Sequence, residues 1–268
     1  MQRPLYIDWF VEEKGKVIKN SVPLTCYKLD YSMEESVWEN WALHIRRNYI
    51  DDEQLTDDAY VNGMSVEQYL TEYVIPQRND EFGPTARSGD ITEIIVADLL
   101  EFVFNYSVPR YKMKNRSGKA NSQQGTDVIA YKFYNGDKSP NEKDELIAAE
   151  VKAVLSSDTY DPIKSAIKDS QKDDHRLARS IDYCRKRLRE LGSIEESNEV
   201  TRFLLKPDNN YKLSFAAAAI SSREIVDDVI VLDVLNKDLE IRSGQKIFYI
   251  HGKKLMELAH NIYERCKK

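Results

Sequence analysis

The chain has 268 residues, 41% of them hydrophobic and 31% charged, with a mean hydropathy of −0.58, a balance that belongs to a globular protein and excludes a disordered or fibrous one. Its longest apolar run, Phe215 to Ile220, is far short of the roughly 20 residues a helix needs to cross a bilayer. The net charge of −6 speaks against a polyanionic partner only until its distribution is read.

Residues 30–81 hold thirteen Asp and Glu against three Arg. The stretch 110–126 carries Arg110, Lys112, Lys114, Arg116 and Lys119 with no acid, and residues 161–189 hold nine Lys and Arg against five Asp. An acidic first third is therefore followed by two basic segments, which would otherwise be two solvated faces. Three widely spaced cysteines, Cys26, Cys184 and Cys266, build neither a disulfide framework nor a Cys-x-x-Cys metal pair. The opening residues Met1 to Pro4 lack the apolar stretch of a secretion signal, so a reducing cytoplasm is the expected location.

In chain order, Leu5 to Val11 and Val22 to Leu29 read as two strands of a hairpin. Met33 to Tyr49 and Ser65 to Ile75 carry helical spacing, with Ser32 and Ser65 as N-caps. The Gly/Pro/Asp-rich stretch Pro76 to Arg87 is the best boundary, which separates an acidic α+β subdomain, 1–85, suited to partner docking or regulation, from a second domain, 86–268. Ser88 is expected to cap a helix running to about Asn105, with Ile91, Ile94, Ile95 and Leu99 on its apolar face. Strands follow at Arg110 to Lys114, Asp127 to Tyr134 and Glu145 to Leu155. Then come one long cationic helix, Pro162 to Leu191, a short helix near Ser193 to Leu205, strands Leu213 to Ile220, Asp228 to Leu235 and Lys246 to Ile250, and a final helix from about Gly252. The fold class this describes is α/β (α+β), a mixed central sheet flanked by helices.

The chemistry concentrates in the third middle strand. Alternation sends Glu150 and Lys152 to one face, about 7 Å apart, and Val151 and Ala153 to the other. If the preceding strand forms an antiparallel hairpin centred near Lys138 and Ser139, Asp127 falls opposite Glu150, since their numbers average 138.5. Two carboxylates at cross-strand distance, roughly 5 Å, repel unless a cation lies between them. A hard divalent ion suits oxygen ligands, and Mg²⁺ typically takes one or two carboxylates and keeps waters for a phosphate; Mn²⁺ accepts the same set. Lys152 would then orient water or stabilise phosphoryl charge. The plainer alternative is a structural Glu150–Lys152 ion pair.

A helix bearing Glu93, then Gly125-Thr126-Asp127 at a strand start, then Glu150-Val151-Lys152 on the next strand, resembles the PD-(D/E)XK pattern of restriction-endonuclease-like nucleases, with Thr126 where that pattern often has Pro. The resemblance implies a restriction-endonuclease-like core in which Asp127, Glu150 and Glu93 bind the metal and Lys152 completes the catalytic set. More narrowly, Arg87 to Glu93, the two motifs and Phe248 to His251 are similar to HamA, the nuclease effector of the Hachiman antiphage system. That similarity implies metal-dependent DNA degradation and a superfamily 2 helicase partner, HamB, that restrains it. The alternatives are a stand-alone restriction-type endonuclease and a non-catalytic scaffold that binds a helicase or DNA ends.

Further basic residues suggest contact with nucleic acid. Lys164, Lys168, Lys172, Arg176 and Arg179 include positions three or four apart that would line one helix face, and Arg116 and Lys119 lie in the polar loop Asn115 to Gln124. Of the histidines, His44, His175, His251 and His260, none stands at zinc-ligand spacing from another ligand. A phosphate-binding Gly-rich loop and a Ser/His/Asp signature are both missing.

Overall fold

The computed structural model describes residues 1–19, 21–121, 125–136, 139–204, 209–232 and 241–267. The first strands are β1 (Phe10–Glu13), β2 (Val17–Ile18), β3 (Val22–Pro23) and β4 (Thr25–Leu29), followed by helices α1 (Glu35–Tyr49), α2 (Asp52–Val61), α3 (Val66–Tyr69) and α4 (Gly83–Asp98). The middle holds β5 (Val128–Lys132), β6 (Glu145–Val154), α5 (Asp161–Ser170), α6 (Asp173–Glu190) and α7 (Ile194–Thr201). The chain closes with β7 (Lys212–Ser221), β8 (Val229–Ile230), β9 (Lys246–His251) and α8 (Leu255–Arg265).

Six strands form one sheet in the order β1-β4-β9-β7-β6-β5, and β3-β2-β8 form a small second one. β4, β9, β7 and β6 run parallel to their neighbours, whereas β1 and β5 pair antiparallel at the two edges. Central parallel strands are buried on both faces, which is why Leu213 to Ile220 reads as a continuous apolar run. Ala216, Ala217, Ala218 and Ala219 alternate between the core beneath α1, α4 and α8 and the core beneath α5. A third cluster packs Leu177, Ile181, Cys184 and Leu188 of α6 on Ile129, Tyr131, Leu146 and Ala148 of β5 and β6. Helices thus cover both faces of the sheet. The mixed α+β class expected from the sequence is the observed one.

The division at residue 85 does not divide the sheet or the core. β4 pairs with β9 from Thr25↔Phe248 to Lys28↔His251, and one apolar cluster includes Trp38, Trp41 and Ile45 with Ile94, Phe248 and Leu258. The Pro/Gly stretch made a boundary plausible, but strands β1 and β4 find their hydrogen-bond partners in the last strand of the chain. Removing residues 1–85 would therefore strip an edge from the sheet.

Local departures have local causes. Leu5–Trp9 forms a 3-10 turn ahead of β1, and the expected hairpin is the antiparallel pairing of β1 with β4. The helix α2 had no counterpart in the sequence reading. Ser65 does cap α3, in a capping box with Gln68. α4 begins five residues before Ser88, because Pro84 in its first turn has no N–H to leave unpaired. The single long helix is two, α5 and α6, so its basic stripe is split between them. Expected strand Asp228 to Leu235 is reduced to β8, and its end, like Leu205, Lys138, Gln123 and Gln124, lies outside the described residues.

Arg110 to Lys114 is the largest correction. Its alternation is real, but the segment forms no ladder among the described residues. Tyr111 and Met113 are buried, while Arg110 pairs with Asp98 and Glu101, Lys112 with Glu93, and Lys114 with Asp51. Three basic side chains are plugged into three carboxylate groups where a neighbouring strand was expected.

Candidate active site

Gly125 starts the site. It sits at φ +117, and a Cβ there would approach Ser180 Oγ to 2.9 Å. The next residue, Thr126, donates its backbone N–H to the same Ser180 Oγ at 3.1 Å and its hydroxyl to Asp173 Oδ1 at 2.9 Å. Helix α6 thus fixes the entry into β5. We expect Gly125→Ala to cost about 1–3 kcal/mol, read as a lower urea midpoint; an unchanged midpoint would show that Ser180 simply yields.

The register of β5 with β6 runs from Val128↔Ala149 to Lys132↔Glu145, so Asp127, one residue before the ladder, lies next to Glu150. Asp127 Oδ2 accepts the backbone N–H of Val151 at 2.9 Å. Glu150 is buried, and its Oε1 receives the Lys152 ammonium at 2.8 Å. Its other oxygen receives Arg176. Lys152 also pairs with Asp169 at 3.0 Å, and Arg176 with Asp173 at 2.7 Å. Asp173 is fully buried, and its Oδ2 has no hydrogen-bond partner.

Glu93 comes from α4, whose Ile91, Ile94 and Ile95 pack with Val128, Ala149 and Val151. It does not touch Asp127 directly: Lys112 stands between them, 2.8 Å from Glu93 Oε2 and 3.4 Å from Asp127 Oδ1. Glu93, Lys112 and Asp127 line a cavity of about 40 Å³, a volume on the scale of a water or an ion. A polymeric substrate must lie outside it, where Lys152 and Arg176 are each about a third exposed.

The electrostatics record a cluster short of positive charge. Burial pushes the Glu93 carboxyl up to about 7, with Asp127 adding to the rise and Lys112 opposing it. Burial and Asp127 also raise Glu150 against the pull of Lys152 and Arg176. For Lys152, burial favours the neutral amine, but Glu150 and Asp169 outweigh it and raise the group above its ordinary value. Lys152 is therefore a permanent cation at neutral pH. It can donate hydrogen bonds and stabilise charge, but it cannot serve as a base.

The hard oxygen donors suit a Mg²⁺-like ion, and the ammonium lodged between Glu93 and Asp127 marks where the local potential favours a cation. Sequence reasoning missed Lys112, Asp169 and Asp173. The spacing Asp173-x-x-Arg176, one helical turn, was the available signal for one of them. Of the residues expected to meet nucleic acid, Arg116 is buried against both Asp90 oxygens, at 2.9 and 2.6 Å, and Lys119 pairs with Asp80 at 2.9 Å. Lys172 pairs with Asp169 at 2.6 Å, Arg176 is bound to Glu150 and Asp173, and Arg179 is exposed on α6.

Fold and site together define an α+β protein that sets two carboxylates and a lysine on one face of a mixed six-stranded sheet. The chain belongs to the HamA family, whose model matches residues 4–266, and that family is a component of the Hachiman defence system. No curated protein matches it. Among the described residues no helix is long and apolar enough to cross a membrane.

Proposed function

We propose that this protein is a metal-dependent deoxyribonuclease of the PD-(D/E)XK type, the effector of its defence system, held in check by a helicase partner. The observation that carries the reading is the meeting of Asp127 and Glu150 at one end of the β5–β6 ladder with Lys152 on the same face. Asp127 and Glu150 would hold Mg²⁺ or Mn²⁺, with Glu93 as a further ligand. Such an ion, when bound, acidifies water and neutralises phosphoryl charge. Lys152 supplies a fixed positive charge to the phosphate, Asp169 steadies that ammonium from the side opposite Glu150, and the Val151 N–H holds Asp127 in place. Arg176 and the exposed Arg179 are candidates for meeting the DNA backbone at the mouth. The direct test is plasmid and linear-DNA cleavage with Mg²⁺, Mn²⁺ or EDTA, with and without the helicase. Metal-dependent cutting is the expected outcome, and no cutting together with no metal binding would overturn the reading.

The raised carboxyls carry a pH prediction. A folded Glu93 near 7 against about 4.3 in an unfolded chain contributes stability that is complete below the lower value and lost as pH rises through the upper one. Mg²⁺ binds the ionised form and should restore what is lost. Its effect on the melting temperature is expected to be small at pH 5.5 and larger at pH 8, and Glu93→Gln should stabilise the metal-free protein at pH 8 only. A Mg²⁺ effect independent of pH would contradict this.

A specific observation favours the scaffold as second reading: Lys112 and Lys152 already pair with Glu93 and Glu150, so the charges can be satisfied without a metal. The acidic first third supports a partner with a basic surface. Glu53, Asp57, Glu67 and Glu72 are exposed there beside Tyr60 and Val61. Charge reversal at these four positions, rather than truncation, tests whether the helicase docks on this face.

A further inference from the structure

Far along the sheet from Asp127, three side chains of different strands meet on one face: Glu13 at the end of β1, Cys26 in β4 and His251 at the end of β9. Among the described residues this is the one group of three or more potential ligands whose donor atoms all lie within 4.8 Å of one another. Strand pairing brings them together, since Glu13 lies opposite Cys26 and His251 opposite Lys28, two residues further along β4. No spacing in the sequence could reveal a set drawn from residues 13, 26 and 251.

The imidazole is oriented as a ligand would be. Its Nδ1 lies 2.8 Å from the Arg223 carbonyl oxygen, which can only accept, so Nδ1 carries the proton and Nε2 presents its lone pair. His251 is fully buried, and Nε2 has no hydrogen-bond partner. It faces Glu13 Oε2 at 3.3 Å. Lone pair then opposes carboxylate, an arrangement that calls for a cation between them. The nearest ammonium, Lys16, is 3.9 Å from the same oxygen and donates instead to the Val226 carbonyl at 2.7 Å and to Asp228 at 3.0 Å.

We propose that Glu13, Cys26 and His251 form a zinc site. Zn²⁺ accepts thiolate, imidazole and carboxylate together, in tetrahedral geometry, whereas Mg²⁺ does not favour sulfur. Usual zinc bond lengths put the N···O edge of such a tetrahedron at about 3.4 Å and the S···O edge at about 3.6 Å. The observed separations are 3.3 Å for His251 to Glu13 and 3.9 Å for Cys26 to Glu13. A thiolate and a carboxylate balance the ion's two charges, so the loaded site is neutral, as burial requires. Glu13, about a quarter exposed, leaves an approach for the ion and for a water in the fourth position. The ion would tie β1, β4 and β9 together at the edge of the sheet. Burial, reinforced by Glu13, pushes the Cys26 thiol up to about 12, so without a bound cation this sulfur stays protonated and unreactive.

The test uses the full chain stripped with a chelator and titrated with Co²⁺, then Zn²⁺. One Co²⁺ per chain should produce a thiolate-to-cobalt charge-transfer band, displaced by one equivalent of Zn²⁺, and Zn²⁺ should raise the melting temperature. Cys26→Ser should lose the band, and Glu13→Gln, which alters a side chain at the surface edge, should weaken Zn²⁺ binding and shrink the melting shift while folding normally. The thiolate band separates this site from the oxygen-only cluster at Asp127. No band in the wild type, a band that survives Cys26→Ser, or a melting shift unchanged in Glu13→Gln would each overturn the proposal. If Cys26→Ser fails to fold, Glu13→Gln and His251→Gln decide it.

Discussion

Lys152→Ala is expected to lower DNA cleavage by at least about a hundredfold while leaving the far-ultraviolet circular dichroism and the urea midpoint nearly unchanged. The ammonium is a third exposed, so little packing goes with it, and Glu150 keeps Arg176 as a partner. Glu150→Ala should be as inactive. It removes a buried carboxylate and leaves two cations without their shared partner, so it should also lose stability, which Lys152→Ala should not. The contrast distinguishes a catalytic lysine from one that is merely half of a structural pair. A Lys152→Ala protein that cuts DNA at the wild-type rate would remove the nuclease reading from this site, and a protein destabilised as much as Glu150→Ala would favour the scaffold. Because Lys152 is a permanent cation, its loss should lower the rate across the pH range rather than move a pH optimum.

Asp98→Ala is expected to be the most destabilising single change away from the active site, about 3–5 kcal/mol, measured by urea unfolding. Asp98 is fully buried at the end of α4. It accepts Tyr6 at 2.6 Å, His44 at 2.9 Å and Arg110 at 2.6 Å. Truncation would leave a buried guanidinium with Glu101 as its remaining acid and two polar groups with nothing to bond. Burial alone would raise the Asp98 carboxyl, but His44, Arg110 and Tyr6 overcome it and leave it lowered. A lowered carboxyl contributes stability that is complete above its unfolded value, about 3.9, and lost as pH falls through the folded one. The Asp98→Ala penalty should therefore be full at pH 7 and shrink under acid. A loss below about 1 kcal/mol would mean that Arg110 and Glu101 hold the region by themselves.

The same network explains why part of the site was readable and part was not. The hairpin register followed from arithmetic, because a two-residue side-chain period and an antiparallel turn leave one pairing that buries Val128, Ala130, Ile147 and Ala149 together. That alone set Asp127 beside Glu150, and the same period put Lys152 on the face of Glu150. Lys112 was visible only as one more charge in a basic run. Its position between Glu93 and Asp127 depends on an unpaired segment threading past α4, and no local pattern records such a path. Arg116 and Lys119 looked like phosphate contacts for the same reason. Their carboxylate partners, Asp90 and Asp80, belong to segments 26 and 39 residues earlier in the chain.

By itself, the sequence determined the strand and helix types of the middle of the chain, the face each side chain takes in β6 and the register of β5, since these follow from periods of two and near four residues and from turn chemistry. Tertiary structure alone decided that the N-terminal strands complete the sheet beside β9, that the basic segment at 110–114 serves as an internal counterion, and that Glu13, Cys26 and His251 converge. Each of these brings together residues far apart in sequence, and pairing across such distances is selected by the burial of whole sheet faces and by the need to satisfy buried charges, not by the local pattern around any one residue.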